Sequence, residues 1–197
     1  VINIDGLLSN AGIINNYIFL INSGTFNNSG ILELKAGSVY NFNGGTLNNN
    51  AGGTLIFRRN FTFNGAGDTG GTVNLNAGGT LENYATLAVA AGYTQTNSGT
   101  LNNTGTFNNN AGGTLNNTGT FNNNTGGTIT NSGILTNSNT LDLKAGSNYN
   151  FNVGTLNNNA GGTLIFRRDF TFNGADGGTV NLNAGGTLEN YATLAVA

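Results

Sequence analysis

The chain has 197 residues, a net charge of −2 and charged side chains at only 7% of positions, against roughly 25% in ordinary soluble domains. Asparagine (41 residues), glycine (33) and threonine (27) together make up half of it, and proline, cysteine, methionine, tryptophan and histidine are absent. That composition excludes a disulfide framework and thiolate metal sites, and it leaves no electrostatic footprint for nucleic acid or an anionic membrane.

Low complexity often signals disorder, but disordered chains are poor in aromatics and carry high net charge. Here 12 Phe and 6 Tyr recur with Leu, Ile and Val at fixed spacing, so an ordered fold is expected. The sequence opens at Val1 without a basic leader, which suggests that it begins inside a longer polypeptide or after processing. The first apolar stretch, residues 13–21, is interrupted by Asn15 and Asn16 and is too short to cross a bilayer; no membrane insertion is expected.

From residue 25 onward the chain is a succession of short units, Gly-Thr-Φ-x-Asn, with Φ an apolar residue, starting six to eight residues apart. That spacing suits one short strand and one tight Gly or Asn corner, and it leaves no room for helices of ordinary length. Alternation fixes the facing of each side chain. In Leu32-Glu33-Leu34-Lys35 the leucines face in and the charges out; the same phase places Phe61 with Phe63, and Val73 with Leu75, inside. Glu82 and Glu189 fall outward.

Residues 32–66 recur as 141–175, 109 positions later, with only four differences: Glu33/Asp142, Val39/Asn148, Gly44/Val153 and Asn60/Asp169. Residues 72–90 recur without change as 179–197. The offset shortens by two between 65–71 and 174–178, which reads as an exposed Gly-rich corner. Tandem units are therefore expected at about 25–133 and 134–197, the second incomplete. Between Thr25 and its equivalent Ile134 lie 15 strand units. Duplicated segments should occupy the same face, and 15 is divisible by three but not by two. The expected fold is an all-β parallel β-helix (β-solenoid) of three strands per coil of about 20–22 residues. Stacked at ~4.8 Å, five such coils make a 109-residue unit roughly 24 Å long.

Asn at a fixed place in each coil can hydrogen-bond along the stack and hold register; Asn49, Asn103, Asn109, Asn117 and Asn123 are expected in such columns. The only arginines, Arg58, Arg59, Arg167 and Arg168, sit in the repeated segments 57–61 and 166–170. They suggest either a solvated corner or a basic contact for carboxylates and anionic surface glycans. Outward Thr rows (Thr46, Thr54, Thr80, Thr100, Thr106, Thr114 and Thr120) raise ice binding as another alternative, although ice-binding solenoids favour Thr-x-Thr on one face, whereas here the pattern is mostly Thr-Φ-Asn and Thr occurs on every face. Asp68 and Asp176 sit in Gly-rich loops but lack the several acids that calcium needs. Histidine and cysteine are absent and the acids are dispersed, so no catalytic constellation, cofactor or metal site is expected and the chain is not read as an enzyme.

The run Leu101-Asn102-Asn103-Thr104-Gly105-Thr106-Phe107, and Leu32-Glu33-Leu34-Lys35-Ala36-Gly37 with its copy 141–146, resemble the coil repeats of filamentous-haemagglutinin-like adhesins and related secreted bacterial exoproteins. The resemblance implies a right-handed, three-sided parallel β-helix serving as the stalk or fibre of an extracellular, cell-surface adhesin or filament. It also implies partners at the ends: continuing repeats, or further copies stacked end to end.

Overall fold

A computed structural model of the chain describes residues 1–63, 71–172 and 177–196. Asp68, Asp176 and most of the two Gly-rich corners of differing length lie outside the described residues. Within them there are 28 strands of three or four residues and no helix, and every strand pairing is parallel. The strands fall on three faces. Face 1 runs from Leu7–Asn10 to Thr179–Leu182 and face 2 from Ile13–Asn16 to Thr187–Asn190, each as one nine-stranded sheet. Face 3 is divided into sheets of three, five and two strands. We number the nine coils by their face-1 strands. Thr25–Asn28 of coil 2 and Ile134–Asn137 of coil 7 stand on the same face, five coils apart.

The alternation of the sequence maps onto this coil. On face 2, Leu32, Leu55, Leu81, Leu101, Phe121, Leu141 and Leu164 stand in register and are all fully buried. The outward residue before each is Thr from coil 3 on: Thr54, Thr80, Thr100, Thr120, Thr140, Thr163 and Thr187 form one uninterrupted row. β-Branched Thr suits such a half-buried pleated surface. Burial of the Φ columns supplies the main driving force, at roughly 25 cal/mol per Å² of apolar area. One polar residue interrupts them: Gln95, in line with Val73 and Leu115, is buried but donates to the carbonyls of Val73 and Thr96 at 3.2 and 2.9 Å.

Coil length varies more than the sequence spacing suggests. The register step is 18 residues from Leu7 to Thr25, 20 from Thr80 to Thr100 and 26 from Thr46 to Thr72. Corners absorb the difference. The four-residue corner Asn124-Thr125-Gly126-Gly127 shows why two glycines are needed. Gly126 has φ +82°, the left-handed region open to glycine. Gly127 has an ordinary backbone, but a Cβ there would lie 2.3 Å from the Asn103 carbonyl oxygen of the coil below.

Face 3 breaks twice, between Val39–Asn41 and Phe61–Phe63 and again between Asn148–Asn150 and Phe170–Phe172. Aromatic rings cross each break. Phe42 meets Phe61 edge-on at 5.8 Å and Phe61 stacks on Phe57 at 4.6 Å; Phe151–Phe170 (5.5 Å) and Phe166–Phe170 (4.7 Å) repeat the arrangement. Of the four differences between the copies, Asn60/Asp169 is conservative in function: each side-chain oxygen accepts from the backbone N–H of a threonine in the next coil, Thr86 (3.1 Å) or Thr193 (2.9 Å). Gly44/Val153 is not, since Val153 adopts φ +62°, unusual for a β-branched residue; nothing in the structure explains it.

Gly127→Ala should lower stability by about 1–3 kcal/mol, because the coil below cannot move away without breaking its ladder. Gly6→Ala, whose Cβ would meet nothing within 4 Å, is the matched control and should leave the denaturant midpoint almost unchanged. Equal midpoints for the two variants would contradict the stacking geometry.

Candidate functional site

Two features combine the chain's polar side chains into extended arrays: buried amide ladders and a cationic corner. The last residue of a four-residue strand points inward, and where it is Asn it is almost wholly enclosed in every coil but the last, where Asn190 is exposed. Asn49 and Asn117 lie on face 1, Asn103 and Asn123 on face 2 and Asn109 on face 3, all with no exposed surface. Asn22, Asn28, Asn83, Asn97, Asn131, Asn137 and Asn158 are equally buried; the shared strand-end position is the signal by which they too could be found.

Each ladder has a direction. On face 1, Asn97 Nδ2 donates to Asn117 Oδ1 (2.8 Å), Asn117 to Asn137 (2.8 Å) and Asn137 to Asn158 (2.7 Å). Asn28 donates to Asn49 (2.8 Å) on the same face, Asn83 to Asn103 (2.7 Å) and Asn103 to Asn123 (2.9 Å) on face 2, and Asn109 to Asn131 (2.8 Å) on face 3. The second amide hydrogen reaches sideways to the first strand residue on the next face of the next coil. Asn117 donates to the Thr140 carbonyl (2.7 Å), Asn103 to Thr128 (3.0 Å) and Asn109 to Ile134 (2.9 Å); Asn49 reaches Thr80 (2.7 Å) and Asn123 reaches Asn148 (2.7 Å). One side chain thus ties two coils and two faces together.

The direction leaves a mark where a column starts. Asn97 stands above Leu75, Asn109 above Val89 and Asn22 above Ile4, and the Oδ1 of each of these three finds no donor. Outward amides run the opposite way: Asn48 donates down to Asn27 (2.8 Å), Asn74 to Asn48 (2.7 Å) and Asn122 to Asn102 (2.8 Å).

The second array occupies the corner between faces 2 and 3. Arg58 Nε lies 2.5 Å from Glu33 Oε1 in the coil below, and Lys35 Nζ 2.6 Å from Glu33 Oε2. The Arg58 guanidinium covers the Tyr84 ring at 4.6 Å, and Lys35 covers Tyr17 at 5.6 Å. The copy repeats this: Arg167 reaches both Asp142 oxygens at 3.1 Å, Lys144 contacts Asp142 at 2.7 Å, and Arg167 covers Tyr191 at 4.8 Å. Arg59 and Arg168 follow directly and are half-buried. Glu33 and Asp142 face outward by alternation, yet only 9% and 4% of their surface is exposed. The Lys35 ammonium, with the Arg58 guanidinium and against the effect of burial, holds the Glu33 carboxyl below the ordinary carboxylate range. The corner therefore places Arg58 and Arg167, considered from the sequence as ligand contacts, on carboxylates and tyrosines of their own chain. These partners lie 24 to 26 residues away, beyond what any local motif shows.

Three parallel faces, nine stacked coils and inward amide ladders define the class: a three-sided parallel β-solenoid. The haemagglutinin repeat family matches at residues 1–37, 22–83, 84–139 and 134–195, and the chain belongs to that family. No curated protein and no solved structure matches it.

Asn117→Ala removes one acceptor and at least two donated bonds from a dry interior, leaving Asn97 Nδ2, Asn137 Oδ1 and the Thr140 carbonyl short of partners. The expected loss is about 2–4 kcal/mol in urea denaturation, whereas the outward Asn116→Ala should stay within about 0.5 kcal/mol. A loss at Asn117 no larger than that at Asn116 would show that the ladder contributes nothing.

Proposed function

We propose that this chain is a structural segment, the stalk or fibre, of an extracellular bacterial adhesin or cell-surface filament. The observation that carries the reading is that one three-sided coil is stacked nine times, with faces 1 and 2 each continuous as a nine-stranded parallel sheet, so length is gained without new chemistry. In such a solenoid stability accumulates from nearest-neighbour interfaces. Membership of the haemagglutinin repeat family, typical of secreted and surface adhesins, supports the location. A non-enzymatic role fits the same facts: the charged side chains of the corner are engaged in holding coil to coil.

The partners we propose are copies of the same architecture. Parallel strands leave unpaired edges at an end of a solenoid, and continuing repeats or another copy of the chain is the matching surface for them. Surface glycans remain the alternative partner of the arginine corner. Exchanging Arg58, Arg59, Arg167 and Arg168 for Ser should leave glycan-array binding unchanged, since Arg58 and Arg167 already have partners within the chain.

Inserting a second copy of residues 25–133 in frame tests the stalk reading. Small-angle scattering and electron microscopy should show an object longer by roughly 24 Å with an unchanged cross-section. A particle that broadens or becomes globular instead would overturn it.

A further inference from the structure

The inward ladder and the outward ion pairs of the corner between faces 2 and 3 replace one another. From coil 1 to coil 9, the inward residue closing the face-2 strand is Asn16, Leu34, Phe57, Asn83, Asn103, Asn123, Leu143, Phe166 and Asn190. The outward residue that follows it is Tyr17, Lys35, Arg58, Tyr84, Thr104, Asn124, Lys144, Arg167 and Tyr191. Where the amide is missing inside, a cation stands outside, and it is bonded to Glu33 or Asp142. All six Lys and Arg residues of the chain lie in these two clusters. The same two junctions, coil 2 to 3 and coil 7 to 8, are where the backbone ladder of face 3 is broken.

We propose that the corner between faces 2 and 3 at the coil 2 to 3 junction is a charge-gated yield point of the rod: it is closed by an ion clamp while Glu33 is ionised and loosens on acidification, while coils 5 and 6, joined by amide rungs on all three faces, stay shut. Three independent observations coincide at that corner: no inward amide on face 2, no face-3 strand pairing, and a nearly covered carboxylate that two cations neutralise, while the Asn28–Asn49 rung continues on face 1.

The surroundings of Glu33 make it the controlling group, and the contacts of Asp142 repeat its geometry. Glu33 is faced by Lys35 on its own coil, by Arg58 above, and by Asn15 below, with Ile56 its register partner in coil 3; Tyr17 and Tyr84 flank the cations. Asp142 is faced by Lys144 and Arg167, with Asn122 below, Ile165 above and Tyr191 over the guanidinium. Protonation of Glu33 removes the negative charge between Lys35 and Arg58 and leaves these two cations to repel. For Glu33, whose folded partners hold the carboxyl below its ordinary value, the stabilisation is present above about pH 4.5 and is lost as pH falls through the lower folded value. The neutral amide pairs Asn83–Asn103 and Asn103–Asn123 do not titrate in that range. A rod built this way would bend at that corner under acid conditions, hinged on the face-1 rung Asn28–Asn49.

Hydrogen exchange of the whole chain, corrected for the intrinsic pH dependence of exchange, tests this at pH 7 and pH 3. Backbone amides in residues 31–41 and 54–63 should lose protection by about tenfold or more at pH 3, as expected for a lost charge-assisted hydrogen bond. Amides in 100–123 should change much less. The variant Glu33→Gln should show the loosened junction already at pH 7 and little further change at pH 3. Junction amides that keep their protection at pH 3, or coils that all loosen alike, would overturn the proposal; the wild-type comparison decides this even if the variant fails to fold.

Discussion

The fold depends on the parallel stacking of one coil on the next, and within that stacking on what closes the inward end of each strand. Apolar columns provide the free energy of burial, but they tolerate a two-residue slide, which keeps the facing of every side chain. An asparagine amide is not tolerant. Buried in an apolar lumen, it must place its oxygen against the amide below and its two hydrogens against an amide and a carbonyl above, because each unmet polar group costs about 1–3 kcal/mol. The ladders of Asn97–Asn158 and Asn83–Asn123 satisfy this with bonds of 2.7 to 2.9 Å. A register slip would break every rung at once. Burial drives the coil to form; the amides dictate how it is indexed.

The cationic corner is the local exception that shows the rule. On face 2, Leu34, Phe57, Leu143 and Phe166 take the place of ladder asparagines, and charge pairs and tyrosine rings fasten the outside there, while the Asn28–Asn49 and Asn137–Asn158 rungs continue on face 1. Half-exposed ion pairs are generally worth little. Glu33 differs because its carboxylate is nearly covered, and Lys35 and Arg58 offset the effect of that burial. A rod can therefore use two kinds of fastening with different sensitivity to its medium.

Much of this was legible in the sequence. Strict alternation in Leu32-Glu33-Leu34-Lys35 gave the facing of those side chains, and the divisibility of 15 strand units gave three faces. Other features were not, for physical reasons. Coil length is set by corners, which vary freely, so the 26-residue step from Thr54 to Thr80 that brings Tyr84 over Arg58 cannot be read from local spacing. The broken face 3 was hidden because Phe61–Phe63 still alternates as a strand should; only the absence of a pairing partner beneath it reveals the break. Alternation correctly turned Glu33 outward, but covering by Lys35 and Arg58 is a tertiary effect.

The central claim, that buried amide ladders index the stack, is tested most directly by side-chain hydrogen exchange in a sample labelled with ¹⁵N at asparagine. The Nδ2 hydrogens of Asn97, Asn103 and Asn117 should exchange as slowly as the backbone amides of their own strands, while those of Asn116 and Asn124, which point outward, exchange at nearly the rate of a free amide. If the two groups exchange equally fast, the interior amides are not bonded to one another and the account of the fold fails.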